Sequence, residues 1–167
     1  MNATVALMPS VLVTGMSGTG KSSALAELGR RGYAVLDTDE PGWLEWVESS
    51  KEVFGGEWLW VEDRMTALLR SGDDRTLFVA GCARNQGKYY DRFDAIVLLS
   101  VPADVILDRI AHRTTNSYGK TPAEQRLILD FIATVEPLLR ASCTHELDAT
   151  RPLVEVVADL IAISGAL

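Results

Sequence analysis

The sequence predicts a three-layer α/β/α fold around a five-stranded parallel sheet, and three observations carry that prediction. Short apolar runs rich in β-branched residues alternate with longer stretches of helical periodicity, the pattern of parallel strands joined by right-handed helical crossovers. The first such run leads straight into a glycine-rich segment, Gly15-Met-Ser-Gly-Thr-Gly20-Lys21-Ser22, which opens the first helical stretch. A length of 167 residues and an apolar content of 47% suit one domain with a sizeable core, so residues 1–167 are read as a single unit.

Ser10–Thr14 is the first buried strand, stopping where Gly15 begins the Gly/Ser/Thr stretch. From Lys21 the spacing of Ala24, Leu25 and Leu28 predicts a helix, and Gly32 stands where a helix ends most easily. Residues 33–36 form a second strand, which ends at Asp37. Between Pro41 and Arg70 the spacing predicts two helices separated by Gly55-Gly56, the second carrying Leu59, Met65, Leu68 and Leu69. Residues 76–80 and 94–100 read as two further buried strands. Ser100 is placed to cap the next helix, with Pro102 in its first turn and Val105, Ile106 and Ile110 on one face. A polar stretch, residues 112–121, then leads to the capping box Thr121-Pro-Ala-Glu124. That box opens a long helix through Leu127, Ile128, Phe131 and Val135, which Pro137 is expected to kink. Residues 143–147 supply the fifth strand, and Pro152 opens a last helix with Val156, Val157, Leu160 and Ile161 inward.

Charge and composition narrow the function. Sixteen Lys plus Arg against 23 Asp plus Glu leave a net charge of -7, so no basic field gathers nucleic acid or an anionic membrane. No apolar run approaches the roughly 20 residues needed to cross a bilayer. The first basic residue is Lys21, so the N-terminus does not read as a secretory signal. Two cysteines, Cys82 and Cys143, make neither a disulfide framework nor a metal cluster, which fits a cytoplasmic protein.

The segment from Gly15 to Ser22 satisfies the P-loop pattern G-x-x-x-x-G-K-[ST] in its required context, between a strand and a helix. Glycines let successive backbone N–H groups wrap a phosphate at a helix N-terminus. Lys21 then neutralises the β- and γ-phosphates, and the Ser22 hydroxyl is a ligand for Mg²⁺. The nucleotide-binding set is therefore Gly15, Gly18, Thr19, Gly20, Lys21, Ser22 and Ser23. The strand at 76–80 is followed by Gly81 rather than by the Asp of a switch GTPase or ATPase motor, so the metal-side acid must come from elsewhere. Asp37-Thr-Asp39 follows the second strand, at an edge where ligands of doubly wound sheets collect. One carboxylate can hold the metal and the other can accept or orient an acceptor hydroxyl; alternatively, either caps the helix expected after it.

These motifs together resemble the small P-loop kinases, most closely the shikimate kinase group of the nucleoside monophosphate kinase-like family. The resemblance runs through Gly15 to Ser22, Asp37-Thr-Asp39, Gly81, Arg109 and Arg113, and Asp148-Ala-Thr-Arg-Pro152, nearly the whole chain. It implies that Asp37 helps Ser22 place Mg²⁺, that Asp39 binds the acceptor, and that Arg109 and the loop carrying Arg151 and Pro152 flank the adenine of ATP. It also implies that Arg113 reaches the phosphates from a lid. Lys21, Asp37, Asp39 and Arg113 are then the catalytic set. Two departures bear on the acceptor. The family's carboxylate-gripping arginine is matched only by Arg64, displaced by one or two turns, and its run of three glycines is reduced to Gly81-Cys-Ala-Arg84.

The polar segment at about 113–121, with Tyr118 its one apolar anchor, suits a lid over ATP or a plain interhelical loop. All four tryptophans, Trp43, Trp46, Trp58 and Trp60, fall in an acceptor-binding lobe at about 40–70, where they either stack on an acceptor or pack the lobe. From Asp37 to Asp63 nine carboxylates face one base, Lys51, which disfavours a phosphorylated acceptor unless Arg64, Arg84 and Arg92 converge. Asp39, Trp43, Trp58, Arg64, Gly81 and Arg84 form the expected acceptor set, with Asn85 and Gln86 as further candidate contacts. The expected activity is an ATP- and Mg²⁺-dependent transfer of phosphate to a hydroxyl of a small polar metabolite. A nucleoside monophosphate kinase and a regulatory nucleotide-binding protein with weak ATPase activity are the alternatives.

Overall fold

A computed structural model of the chain describes residues 8–52, 55–71 and 74–167. Five parallel strands make the main sheet: β1 (Ser10–Thr14), β2 (Ala34–Asp37), β5 (Leu77–Ala80), β6 (Ala95–Ser100) and β7 (His145–Asp148), in the spatial order β2-β5-β1-β6-β7. The expected fold class is thus the observed one, with strand limits within two residues of those read from the sequence. The central strands β1, β5 and β6 are apolar on both faces because both faces are covered, whereas the edge strands β2 and β7 are partly open. Alternation sends Val11 and Val13 of β1 into one core with Leu25, Leu28, Val97, Ile106 and Val157, and Leu12 into the other with Val79, Ile96, Trp60 and Met65.

Helix α1 (Lys21–Arg30) follows the P-loop and ends at Gly32, whose φ of 93° confirms the expected stop. Helix α3 (Ala103–His112) follows β6, but its N-cap is Pro102 and no side chain caps it. Ser100 remains the last residue of β6, where its carbonyl accepts from Ala149 N at 2.9 Å, so the expected Ser100 cap is not formed. The capping box at Thr121 and Glu124 is complete and opens α4 (Pro122–Thr134). Around Pro137 the chain breaks outright: α4 ends at Thr134, and α5 (Glu136–Ser142) starts as a separate helix with a proline in its first turn. Helix α6 (Leu153–Gly165) closes the chain.

The largest correction lies between β2 and β5. In place of two helices the chain forms an antiparallel hairpin, β3 (Leu44–Glu48) and β4 (Gly56–Trp60), followed by the single helix α2 (Glu62–Arg70). Residues 53 and 54 of the expected lobe lie outside the described residues. Register pairs Leu44 with Trp60 and Trp46 with Trp58, so the aromatic residues share one face at a period of two. The Trp46 and Trp58 rings meet edge to face at 5.5 Å, the kind of cross-strand pair that stabilises a hairpin over a helix.

The hairpin joins neither edge of the main sheet. Asn85, in the loop after β5, docks it instead: its amide nitrogen donates to Trp60 O at 3.0 Å and its amide oxygen accepts from Trp60 N at 2.9 Å. Gln86, which opens a 3-10 segment (Gln86–Arg92), donates to Thr14 Oγ1 at 3.2 Å and to the Tyr90 hydroxyl at 2.8 Å. Its amide oxygen accepts from Ala83 N at 3.0 Å. Both side chains, expected as acceptor contacts, are thus buried framework donors and acceptors. Asn85→Ala leaves the buried N–H and C=O of Trp60 without these partners, and we expect a loss of at least about 2 kcal/mol in denaturant-induced unfolding.

Candidate active site

The carboxyl ends of β1, β2 and β5 converge on one edge, and the P-loop crosses it. Gly15, Gly18 and Gly20 all take positive φ, which lets the backbone reverse within six residues. Inside the loop Thr19 Oγ1 donates to Met16 O at 2.9 Å, and Lys21 Nζ donates to Gly15 O and Met16 O at 2.8 and 2.9 Å. The lysine head is therefore folded back over the mouth of its own loop. Desolvation there pushes Lys21 below the usual lysine range, against the opposing pull of Cys82, Asp39 and Asp37.

Strand β2 delivers the acids. Ser22 Oγ donates to Asp37 Oδ2 at 2.5 Å, and the other oxygen of Asp37 accepts from Asp39 N at 3.0 Å. The two positions read as metal ligands thus meet, and Asp37 holds the backbone of Asp39. A hydroxyl and a carboxylate are hard oxygen donors of the kind Mg²⁺ takes alongside water and phosphate, so the residues present fit that ion. Asp39 is exposed at the rim. Loss of water around its carboxyl pushes it above the usual carboxylate range, and the neighbouring Asp37 charge adds to this while Lys21 opposes it.

Helix α3 brings both expected arginines to the loop. Arg113 Nη1 donates to Ser17 Oγ at 3.3 Å and Nη2 to Tyr118 O at 2.7 Å, while its Nε is buried without a partner among the described residues. Arg109 bridges Thr19 O at 3.5 Å and Ala149 O at 2.6 Å, which ties the P-loop to the loop after β7. Arg151 of that loop is turned along α6, paired with Glu155 at 3.1 Å and Asp159 at 2.6 Å, and Pro152 caps the helix. The segment at 113–121 has more anchors than Tyr118. Lys120 Nζ donates to the carbonyls of Ile110, Ala111 and Arg113, and Gly119 lies against Ile110 and Ile128, whereas residues 114–117 are exposed.

The expected acceptor residues do not form one cluster. Arg64 lies over the Trp43 ring at 4.4 Å and donates to Gly42 O at 2.7 Å, at the open end of the hairpin. Arg84 pairs with Glu52 at 3.2 Å and Glu57 at 3.3 Å, near its turn. Trp60 is wholly buried, whereas Trp58 and Trp46 are 56% and 43% exposed, so the four indoles divide between packing and open surface. Cys82 is exposed beside Lys21, and desolvation pushes its thiol above the usual range while Lys21 opposes it. The residue that sequence reasoning passed over is Thr38, buried between the two acids. Its signal was present in a polar residue flanked by two candidate ligands.

The architecture is that of a P-loop kinase fold, and comparison with known proteins agrees. A family described as AAA domain matches residues 11–130, and the chain belongs to that family. The uncharacterized protein YqaC of Bacillus subtilis (strain 168) is 31% identical over 113 residues, covering 66% of this chain and 59% of the relative. The matched part thus spans less than two thirds of that curated relative. Shikimate kinase from Acinetobacter baumannii in complex with shikimate superposes at a TM-score of 0.63 with 15% identity, over 93% of this chain and 92% of that one. Gluconokinase from Sinorhizobium meliloti 1021 gives 0.57 with 21% identity, over 96% and 93%. Both likenesses are of fold.

The raised Asp39 carboxyl has a measurable consequence. The folded chain holds that proton to higher pH than the unfolded chain, so stability at this site is lost as pH rises from the unfolded to the folded pKa. Asp39→Asn should therefore melt higher than the parent at pH 7, with the gap narrowing as pH falls through the raised folded pKa and closed by about pH 4, where the unfolded carboxyl takes its proton, followed by circular dichroism.

Proposed function

We propose that this protein is a kinase that uses ATP and Mg²⁺ to phosphorylate a hydroxyl of a small polar metabolite. The observation that carries the reading is the meeting of Ser22 with Asp37 at 2.5 Å, with Asp39 bonded to the same carboxylate and Lys21 in the loop beside them. Ser22 and Asp37 would hold Mg²⁺, which supplies charge neutralisation at the phosphates when bound. Lys21 leaves the carbonyls of Gly15 and Met16 to take phosphate oxygens, and backbone N–H groups of the loop hold the rest. A phosphate beside Lys21 favours the charged form and so opposes the effect of desolvation.

Asp39 orients the acceptor hydroxyl and takes its proton. A carboxylate raised above its ordinary range is a better base than a free one, and the nearby P-loop keeps the hydroxyl oxygen in line with the transferring group. Arg113, already on Ser17, supports the phosphate chain from the 113–121 side, and Arg109 lies between the P-loop and the β7 loop where an adenine would pack. Trp43 and Trp58 line the acceptor side. Arg64 and Arg84 sit at opposite ends of the hairpin, each with its own partners, so these two form no paired cationic site for an acceptor phosphate. That supports a neutral or cationic hydroxyl acceptor over a nucleoside monophosphate.

An acceptor panel scored by ADP release tests the reading, with polyols, amino alcohols, shikimate, gluconate and nucleoside monophosphates as its members. We expect Mg²⁺-dependent transfer to a hydroxyl compound, reduced by at least about a hundredfold in Lys21→Ala with the fold retained. Transfer to a nucleoside monophosphate that is lost in Arg64→Ala or Arg84→Ala would overturn the acceptor assignment. ADP release indifferent to every acceptor would point to a nucleotide-binding regulator.

The lid can be tested separately. Residues 114–117 should be cut by limited proteolysis in the free protein and protected when Mg²⁺ and ATP are present. Equal cleavage in both states makes the segment a plain loop.

A further inference from the structure

We infer that Thr38 is a positioning residue that sets Asp37 and Asp39 against the P-loop, and that Gly81 is a glycine in order to admit it. The inference rests on the reading of Ser22 and Asp37 as the Mg²⁺ side of the site. Thr38 is 1% exposed, and its Oγ1 has no hydrogen-bond partner among the described residues. What the side chain contributes is therefore shape. A Cβ on Gly81 would stand 1.9 Å from that oxygen and 3.2 Å from Thr38 Cβ. Gly81 does not take a positive φ, so its lack of a side chain serves close approach and not backbone freedom.

Backbone bonds on either side turn this contact into a register. Thr38 N donates to Ala80 O at 2.9 Å and Gly81 N to Val13 O at 3.1 Å, extending the ladder beyond the ends of β2 and β5. Thr38 is thus fastened to β5, and β5 to β1, one residue before Thr14 and two before the P-loop begins. Asp37 is the last residue of β2, and Glu40 N donates to Asp37 O at 3.1 Å, so Thr38 and Asp39 are the central pair of a turn. With Thr38 turned inward against Gly81, the acids that flank it are left toward the site, where Asp37 meets Ser22 and Asp39 is within electrostatic reach of Lys21. A methyl group on Gly81 would push Thr38 outward and carry both carboxylates with it.

The test uses ADP binding by the whole protein, measured by calorimetry with Mg²⁺ and again with EDTA, and takes the ratio of the two dissociation constants. We expect Gly81→Ala to reduce that ratio by about tenfold or more, the scale seen when groups that orient metal ligands are removed. Its metal-free ADP affinity should stay within about twofold, because the P-loop itself is untouched. The double variant Thr38→Ala/Gly81→Ala, which makes room for the new methyl group, should regain most of the ratio. Thr38→Val keeps the shape and should hold the ratio within about twofold while melting no lower than the parent, since it replaces an unpartnered buried hydroxyl. An unchanged ratio in Gly81→Ala, or no recovery in the double variant, overturns the inference. If Gly81→Ala does not fold, Thr38→Val decides: a lost ratio there means that the hydroxyl acts chemically and the positioning role is wrong. A parent protein that binds ADP without any Mg²⁺ effect overturns the metal reading itself, and this inference with it.

Discussion

The backbone of Gly15 lies so close to the end of β6 that a Cβ there would come within 2.5 Å of the Leu99 carbonyl oxygen. Its φ of 146° is likewise open to glycine and costly for other residues. That contact lets the chain leave β1, cross the end of its neighbour and turn into α1 without a spacer. The rest of the carboxyl edge follows from it. Gly18 comes to rest against Ile106 and Ile110, so the P-loop packs directly on α3. The same helix presents Arg109 and Arg113 from its last turn and C-terminal boundary, and their reach to Thr19 and Ser17 depends on how closely the loop seats.

Around that edge the protein keeps charges in places that do not favour them. Lys21 is desolvated and Asp39 is pushed toward its neutral form, while the apolar cores on the two sheet faces hold both in position. Such groups gain from a ligand that brings compensating charge, so occupancy and folding stability are linked. The expense is met by a sheet whose central strands are fully buried.

Much of this was legible from the residues. Both-face burial made the central strands β1, β5 and β6 continuous apolar runs, and the P-loop sat where its mechanism requires a strand-to-helix turn. The hairpin was misread because leucine and tryptophan spacing in Leu44-Glu-Trp-Val-Glu48 and Gly56-Glu-Trp-Leu-Trp60 fits a helical face almost as well as an alternating one. Tryptophan and valine favour strands, and Gly55-Gly56 favours a turn, but the cross-strand pairing of Trp46 with Trp58 is settled only by register. Asn85 and Gln86 looked like ligand contacts for the same reason that makes them good framework: amides carry donors and acceptors, and only burial tells which partners they take. Arginine partners were equally hidden, since the pairing of Arg151 with Asp159 or of Arg84 with Glu57 depends on tertiary placement and not on spacing.

The separateness of the hairpin has an evolutionary consequence. A two-stranded sheet that, among the described residues, pairs with no strand of the main sheet, and is docked in part through one asparagine, can exchange its exposed indoles without shifting any register among β1, β2 and β5. Mutational drift at its exposed positions, unlike at buried Trp60, is decoupled from the phosphate-handling edge. A single scaffold of this kind can therefore diversify its choice of small molecule by variation confined to the exposed positions of β3 and β4, while selection on nucleotide chemistry stays concentrated elsewhere.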